Sequence, residues 1–228
     1  MCFKSIIRAP KIDLYKMAKQ TKNNAERKQR VRNRNEKKII SAAEKIFSEK
    51  GYNTATIQEI ADKLNMPKAN IHYYFPTKKD LYLTVIMKLR DLWKNEVDVM
   101  MTKSDAKTAL RIYVRSLLDI SFENPHAHKI WNWEMMRGAR NLTSDIRESM
   151  KKRNKKETAL IQSWVDTGQI VSIEPQNLLY FLWGITTHFS HQRDQIKILN
   201  GNKHLSKEQR EKVYDDAVNM ILRGVIIE

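Results

Sequence analysis

One cysteine, Cys2, stands among 228 residues. It leaves no intramolecular disulfide framework and no cysteine-based metal cluster. Six glycines and five prolines are few for this length, so tight corners are rare and helices are favoured over a many-stranded β-fold. No run of about 18 apolar residues occurs, which excludes a transmembrane helix. Met1 to Lys11 is basic, and Ile6-Ile7 is too short an apolar run for a signal-peptide core. A cytoplasmic protein without a membrane partner is the expectation. Catalytic signatures are missing as well: there is no Gly-rich phosphate loop, no Gly-x-Ser-x-Gly and no His-Glu-x-x-His. The pairs His126/His128 and His188/His191 have no third carboxylate or Cys linked to them. Neither a metal nor a cofactor is expected, and an enzyme is the weakest class.

Positive charge is what the sequence has in excess. Lys+Arg number 42 against 26 Asp+Glu, a formal net charge of +16. In a cytoplasmic protein this points to nucleic acid, an acidic partner or a membrane surface. The excess is concentrated at the start. Residues 1–38 hold 13 basic and 3 acidic residues, a net of +10, whereas residues 39–90 hold 8 and 5. Apolar residues are scarce between Met17 and Val31, so residues 1–34 read as a basic flexible arm.

Helical periodicity begins near Asn35. Ile39, Ile40, Ala43, Ile46 and Phe47 form one apolar stripe that ends at Gly51. Thr54 or Thr56 caps a short helix carrying Ile57, Ile60, Ala61 and Leu64. Asn65 tolerates a left-handed turn, and Pro67 suits the first turn of a third helix that Pro76 stops. A long fourth helix runs from about Thr77 past Trp93. Two short helices joined by a tight turn after a longer one make a helix-turn-helix unit over residues 35–80. Its packing residues leave Lys68, Asn70, His72 and Tyr73 free to meet a major groove, with Gln58 as a further base-edge candidate.

The stretch from Ile39 to Leu81 resembles the DNA-binding domain of TetR-type transcriptional regulators. The resemblance rests on Phe47, Gly51, Thr56, Ile60-Ala61, Leu64, Ile71, Tyr74-Phe75, Lys78 and Leu81. It implies that Thr56, Tyr74 and Lys78 contact phosphates of double-stranded operator DNA. Asn65 and Pro67 replace the usual turn Gly and capping Ser or Thr, and both suit those places.

Residues 81–228 continue as helices. Breaks fall at Asn124-Pro125, Gly138 and Gly168. Thr143 or Ser144 caps one helix, Pro175 opens a strongly apolar one, and Ser206-x-x-Gln209 is a capping box for the last. The fold class is therefore all-α: a three-helix helix-turn-helix domain followed by a helical effector-binding and dimerisation domain. This half is similar to one TetR subgroup, which includes the repressor of pyrimidine utilisation. That likeness implies that Trp93 and Trp183 line a pocket for a planar or aromatic small molecule, with His188 in a matching stretch. Thr187 stands where the relative has a Gln, so part of an amide readout of uracil is lost. Trp183 and Thr187, at i and i+4, face one cavity, and Trp131 and Glu134 are further candidates. Glu134, if buried, needs a partner such as Arg137 or a ligand donor. The resemblance also implies a homodimer through helices of about 175–197 and 207–225. A rival reading is an architectural or effector-independent DNA-binding protein.

Overall fold

The computed structural model describes residues 14–102 and 105–227, with side chains from residue 26 onward apart from 96 and 97. Ten helices and one isolated antiparallel bridge, Ile170 to Ile226, make up the described residues. The first helix, α1 (Leu14–Thr54), starts about twenty residues before the periodic stripe. Residues 14–34 are thus helical and not a flexible arm; residues 1–13 of that expected arm lie outside the described residues. No Gly or Pro interrupts positions 11–50, and Lys, Arg, Gln, Glu and Ala are good helix formers. A helix already nucleated by its packed half can extend through them without a buried face.

Gly51 breaks α1, at φ 74 and ψ 168. The three helices that follow are punctuated locally. Thr56 caps α2 (Ile57–Lys63) in a reciprocal capping box with Glu59. Asn65 turns the chain at φ 50, and Pro67 sits at the N-cap of α3 (Lys68–Tyr74), one place before the expected first turn. Thr77 and Asp80 form a second capping box on α4 (Lys78–Met101). Then come α5 (Ala106–Glu123), α6 (Pro125–Met136), α7 (Ser144–Asp166), α8 (Pro175–His191), α9 (Arg193–Leu199) and α10 (Lys207–Val225). The single helix expected over 175–197 is split at Gln192 (φ −104, ψ 28). The apolar stripe that seats α8 ends at Ser190, and α9 buries no residue, so no packing holds the two in line.

Two main cores result. One joins α1 to α3 with the first half of α4 (Leu81, Tyr82, Val85, Ile86), and it also takes in Ile130 of α6 and Leu142 and Ile146 at the start of α7. The other is built from α5, α7, α8 and α10 around Tyr113, Leu118, Trp164 and Leu182. The boundary expected after residue 80 therefore falls inside continuous packing: α4 reaches both cores, and α6 joins the first and, through Ala127, a small cluster with Leu89 and Ile120.

At Gly51 a Cβ would lie 2.5 Å from Cζ3 of Trp133, in a backbone region nearly closed to other residues. Gly51→Ala should therefore destabilise the fold by about 3 kcal/mol, backbone strain and overpacking together. Chemical denaturation measures this, and a loss below the usual scatter of surface substitutions would contradict the packing.

Candidate functional site

The helix-turn-helix presents a polar face. Gln58, Lys68, Asn70, His72 and Tyr73 are all exposed on α2 and α3, while Ile71 is buried beneath them. Gln58 donates from Nε2 to Asp62 at 2.7 Å. His72 Nδ1 lies 3.1 Å from the Pro76 carbonyl, which leaves Nε2 facing outward. Tyr73 is 69 % exposed and stands edge-on to Tyr74 at 5.2 Å.

The extension of α1 reaches this face, which the sequence reading missed. Beyond Ile39 the core-facing stripe of α1 turns polar. Asn35 donates to the Tyr74 hydroxyl at 3.2 Å, and the Arg32 guanidinium lies 5.8 Å from the Tyr73 ring centre. Another face of α1 carries Arg30, Arg34, Lys37 and Lys38 around a shallow groove. Spacings of three and four put those cations in one row.

Of the three expected phosphate contacts, Thr56 is exposed, but its hydroxyl donates to Glu59 at 3.1 Å and accepts from the Glu59 N–H. Half-buried Tyr74 keeps its O–H free to donate. Lys78 is different and requires a correction. Its ammonium donates to the carbonyls of Tyr52 (2.8 Å), Asn53 (3.3 Å) and Ala55 (2.9 Å), and lies 4.6 Å from the Tyr52 ring centre. Those carbonyls follow the break at Gly51, where helical partners are lost. All three ammonium hydrogens are taken, so Lys78 pins the end of α1 and has none left for a phosphate.

The second half encloses a cavity of about 500 Å³ between α4, α5, α6, α7 and α8. Trp93, Trp131, Trp183 and Thr187 line it. Trp93 meets Trp131 edge-on at 5.0 Å and His128 at 5.4 Å. The Trp183 indole N–H donates to the Tyr113 hydroxyl (3.1 Å), which donates on to Glu157 (3.2 Å). Thr187 spends its hydrogen on the Trp183 carbonyl at 2.5 Å and offers the cavity only lone pairs. Asn154 and Gln176 form a reciprocal amide pair at 2.6 and 3.3 Å in the wall. His128 is buried with neither ring nitrogen hydrogen-bonded, and His191 Nε2 is likewise unsatisfied. Burial, reinforced by neighbouring His191, pushes the His128 imidazole down to about 3, so it is neutral at physiological pH.

Two expected ligand residues lie elsewhere. Glu134 is buried but faces away from the cavity, accepting from the Tyr82 hydroxyl (2.9 Å), the Asn141 N–H (2.7 Å) and the Asn141 amide (2.9 Å). Its partners are Tyr82 and Asn141, neither Arg137 nor a ligand. His188 is exposed and outside the lining. The cavity stripe on α8 is Gln176, Tyr180, Trp183, Thr187 and His191. Extending the i, i+4 step from Thr187 finds His191, whereas His188 is turned about 100° away.

Residues 39–85 match the family described as bacterial regulatory proteins, tetR family, and residues 86–228 match the YcdC-like protein C-terminal region. The HTH-type transcriptional regulator RutR of Escherichia coli strain K12 is 28 % identical over 189 residues, 83 % of this chain and 89 % of that protein. Among solved structures, the ketosteroid transcriptional regulator KstR2 of Mycobacterium tuberculosis superposes with a TM-score of 0.67 at 15 % identity, covering 85 % of this chain and 96 % of that one. AibR, in complex with isovaleryl coenzyme A and operator DNA, gives 0.62 at 17 % identity, covering 81 % and 96 %.

Two outcomes are expected. Lys78→Met should lower stability by about 1–3 kcal/mol, because three carbonyls lose their donor, while the salt slope of DNA binding stays unchanged. A phosphate clamp predicts the reverse, an unchanged melting temperature and a slope smaller by about one. His128 has a folded-state pKa far below the ordinary 6.5, so the unfolded chain binds the extra proton first. Its contribution is intact above about pH 6.5 and falls as pH drops toward 3, by about 1.4 kcal/mol per unit at most. Urea unfolding of wild type and His128→Phe across pH 7 to 5 should show the slope reduced in the variant.

Proposed function

The chain belongs to the TetR family of DNA-binding transcriptional regulators, and from that premise we propose a homodimeric repressor released from its operator by a small molecule in the tryptophan-lined cavity. The observation that carries this reading is the double duty of α6. One side of the helix gives His128 and Trp131 to the cavity. Its other side is fixed in the DNA-binding unit: Ile130 lies in the headpiece core, Trp133 covers Gly51, and His126 bonds Ser48 at 2.8 Å. A ligand that favours one placement of α6 thereby favours one placement of α1 and the recognition helix. This is a population shift between two sites. The α4 helix works in parallel, since Tyr82 and Trp93 lie on the same rod.

Dimerisation is supported by large apolar side chains left open on α8 and α10, notably Phe181 (60 %) and Met220 (59 %). Exposed apolar area of this kind marks an interaction face. Two copies related by a two-fold axis would present two α3 helices to a near-palindromic operator. In that complex Gln58, Lys68, Asn70 and His72 read base edges and Tyr73 serves either role. Tyr74, with the Arg30–Lys38 row of α1, supplies backbone contacts.

Trp93→Ala tests the linkage on an operator selected from random-sequence DNA. Fluorescence anisotropy should show operator affinity within about threefold of wild type and a blunted release by whichever compound stabilises the wild-type protein. Equal collapse of operator affinity in the absence of any compound would make Trp93 a packing residue only.

A further inference from the structure

The tryptophan-lined cavity shares part of its wall with a second space. Met150 and Arg153 of α7 line both it and a cleft of about 330 Å³ between α4 and α7. The cleft is lined by Arg90, Lys94, Lys152, Arg153 and Lys156 and, among the described residues, by one carboxylate, Asp98. Arg90 is already paired with Asp91 at 2.7 Å. Arg153 is not satisfied: its Nε is buried without a hydrogen-bond partner and lies 3.8 Å from Glu157. A buried guanidinium N–H that lacks an acceptor calls for one, and an anion is the strongest acceptor available.

We propose that the effector is a nucleoside monophosphate, its base held among Trp93, Trp131 and Trp183 and its phosphate in the cleft beside Arg153. The proposal rests on the reading of the tryptophan cavity as the effector site. Each half of the ligand answers a separate observation. Flat aromatic walls with an amide pair, Asn154 and Gln176, suit a planar nitrogen heterocycle that stacks and exchanges hydrogen bonds. A free base would occupy only part of a cavity of about 500 Å³ and would make no use of Lys94, Lys152 and Lys156 in the adjoining cleft. A phosphate carries about two negative charges and several acceptor oxygens, which fits clustered Lys and Arg better than a single carboxylate does. Thr187, which offers lone pairs and no free donor, is compatible with a base that donates an N–H toward α8.

Calorimetric titration of the full chain tests this with the 5′-monophosphates of uridine, cytidine, adenosine and guanosine, the four matching nucleosides, and inorganic phosphate. At least one nucleotide is expected to bind tenfold or more tightly than its nucleoside. Lys152→Gln/Lys156→Gln changes two exposed positions of α7 and should reduce that nucleotide to the affinity of its nucleoside. Trp183→Ala should weaken both by tenfold or more, which separates cavity binding from capture by the basic DNA face. Equal affinity for nucleotide and nucleoside, or nucleotide binding indifferent to the double substitution, overturns the proposal. So does the absence of nucleotide binding. If an uncharged aromatic compound then binds in a Trp183-dependent way, the effector-site reading stands without the phosphate. If no compound depends on Trp183, that reading falls too.

Discussion

A carboxyl group buried in a protein needs donors for its oxygens, and Glu134 receives three hydrogen bonds from two directions. Tyr82 comes from α4, inside the DNA-binding core, and Asn141 comes from the turn that leads into α7. Losing one donor would cost about 1–3 kcal/mol at a site like this. The bonds therefore fix the height and rotation of α6 between its neighbours. What α6 carries on its other positions inherits that placement: Trp133 over Gly51, Ile130 in the headpiece core, and Trp131 and His128 in the cavity wall. A residue that looked like a ligand contact is instead the anchor that lets the cavity and the headpiece share one helix.

Lys78 plays the corresponding part at the other end. The chain breaks out of α1 at Gly51 and must enter α2 at Thr56 within five residues. Its carbonyls there have no helical partners, and the ammonium of Lys78 supplies them from α4. Lys78 and Glu134 thus tie α4 to α1 and to α6 by polar bonds where a hydrophobic contact alone would permit sliding. Apolar packing is tolerant of volume-conserving change; hydrogen bonds of fixed length are not. That difference holds α1, α4 and α6 in one defined relative placement.

What could be read from the sequence follows from how far apart the interacting residues are. Ser206 with Gln209 and Asn65 at its turn are encoded within three or four positions and appear as expected, and of the two cap candidates Thr54 and Thr56 it is Thr56 that caps, paired with Glu59. The long helices declared themselves through apolar stripes, because a stripe records the buried face. The α1 extension had no stripe to show: its stability comes from propensity and from continuity with the packed half, and neither leaves a periodic mark. The partners of Glu134 and Lys78 include residues 52 and 26 positions away, beyond anything spacing can reveal. His188 and His191 mark the border between the two cases. The helical step from Thr187 pointed to His191, and the family likeness pointed to its neighbour.

The net charge of +16 takes on a different meaning once it is placed on the structure. The residues proposed to read a major groove are nearly neutral: Gln58, Asn70, His72 and Tyr73, with Lys68 alone among them charged. Around them the cations are arranged by helical geometry. Arg30, Arg34, Lys37 and Lys38 make one row on α1, a row that exists only because that segment is helical. In a flexible arm the same residues would be attracted to DNA without any register. On a helix joined to the recognition helix by Asn35–Tyr74 and Arg32–Tyr73, they would meet phosphates of the proposed complex at a fixed offset from the bases. Nonspecific attraction and specific reading are then parts of one rigid body, and whatever moves α1 through α6 alters both at once.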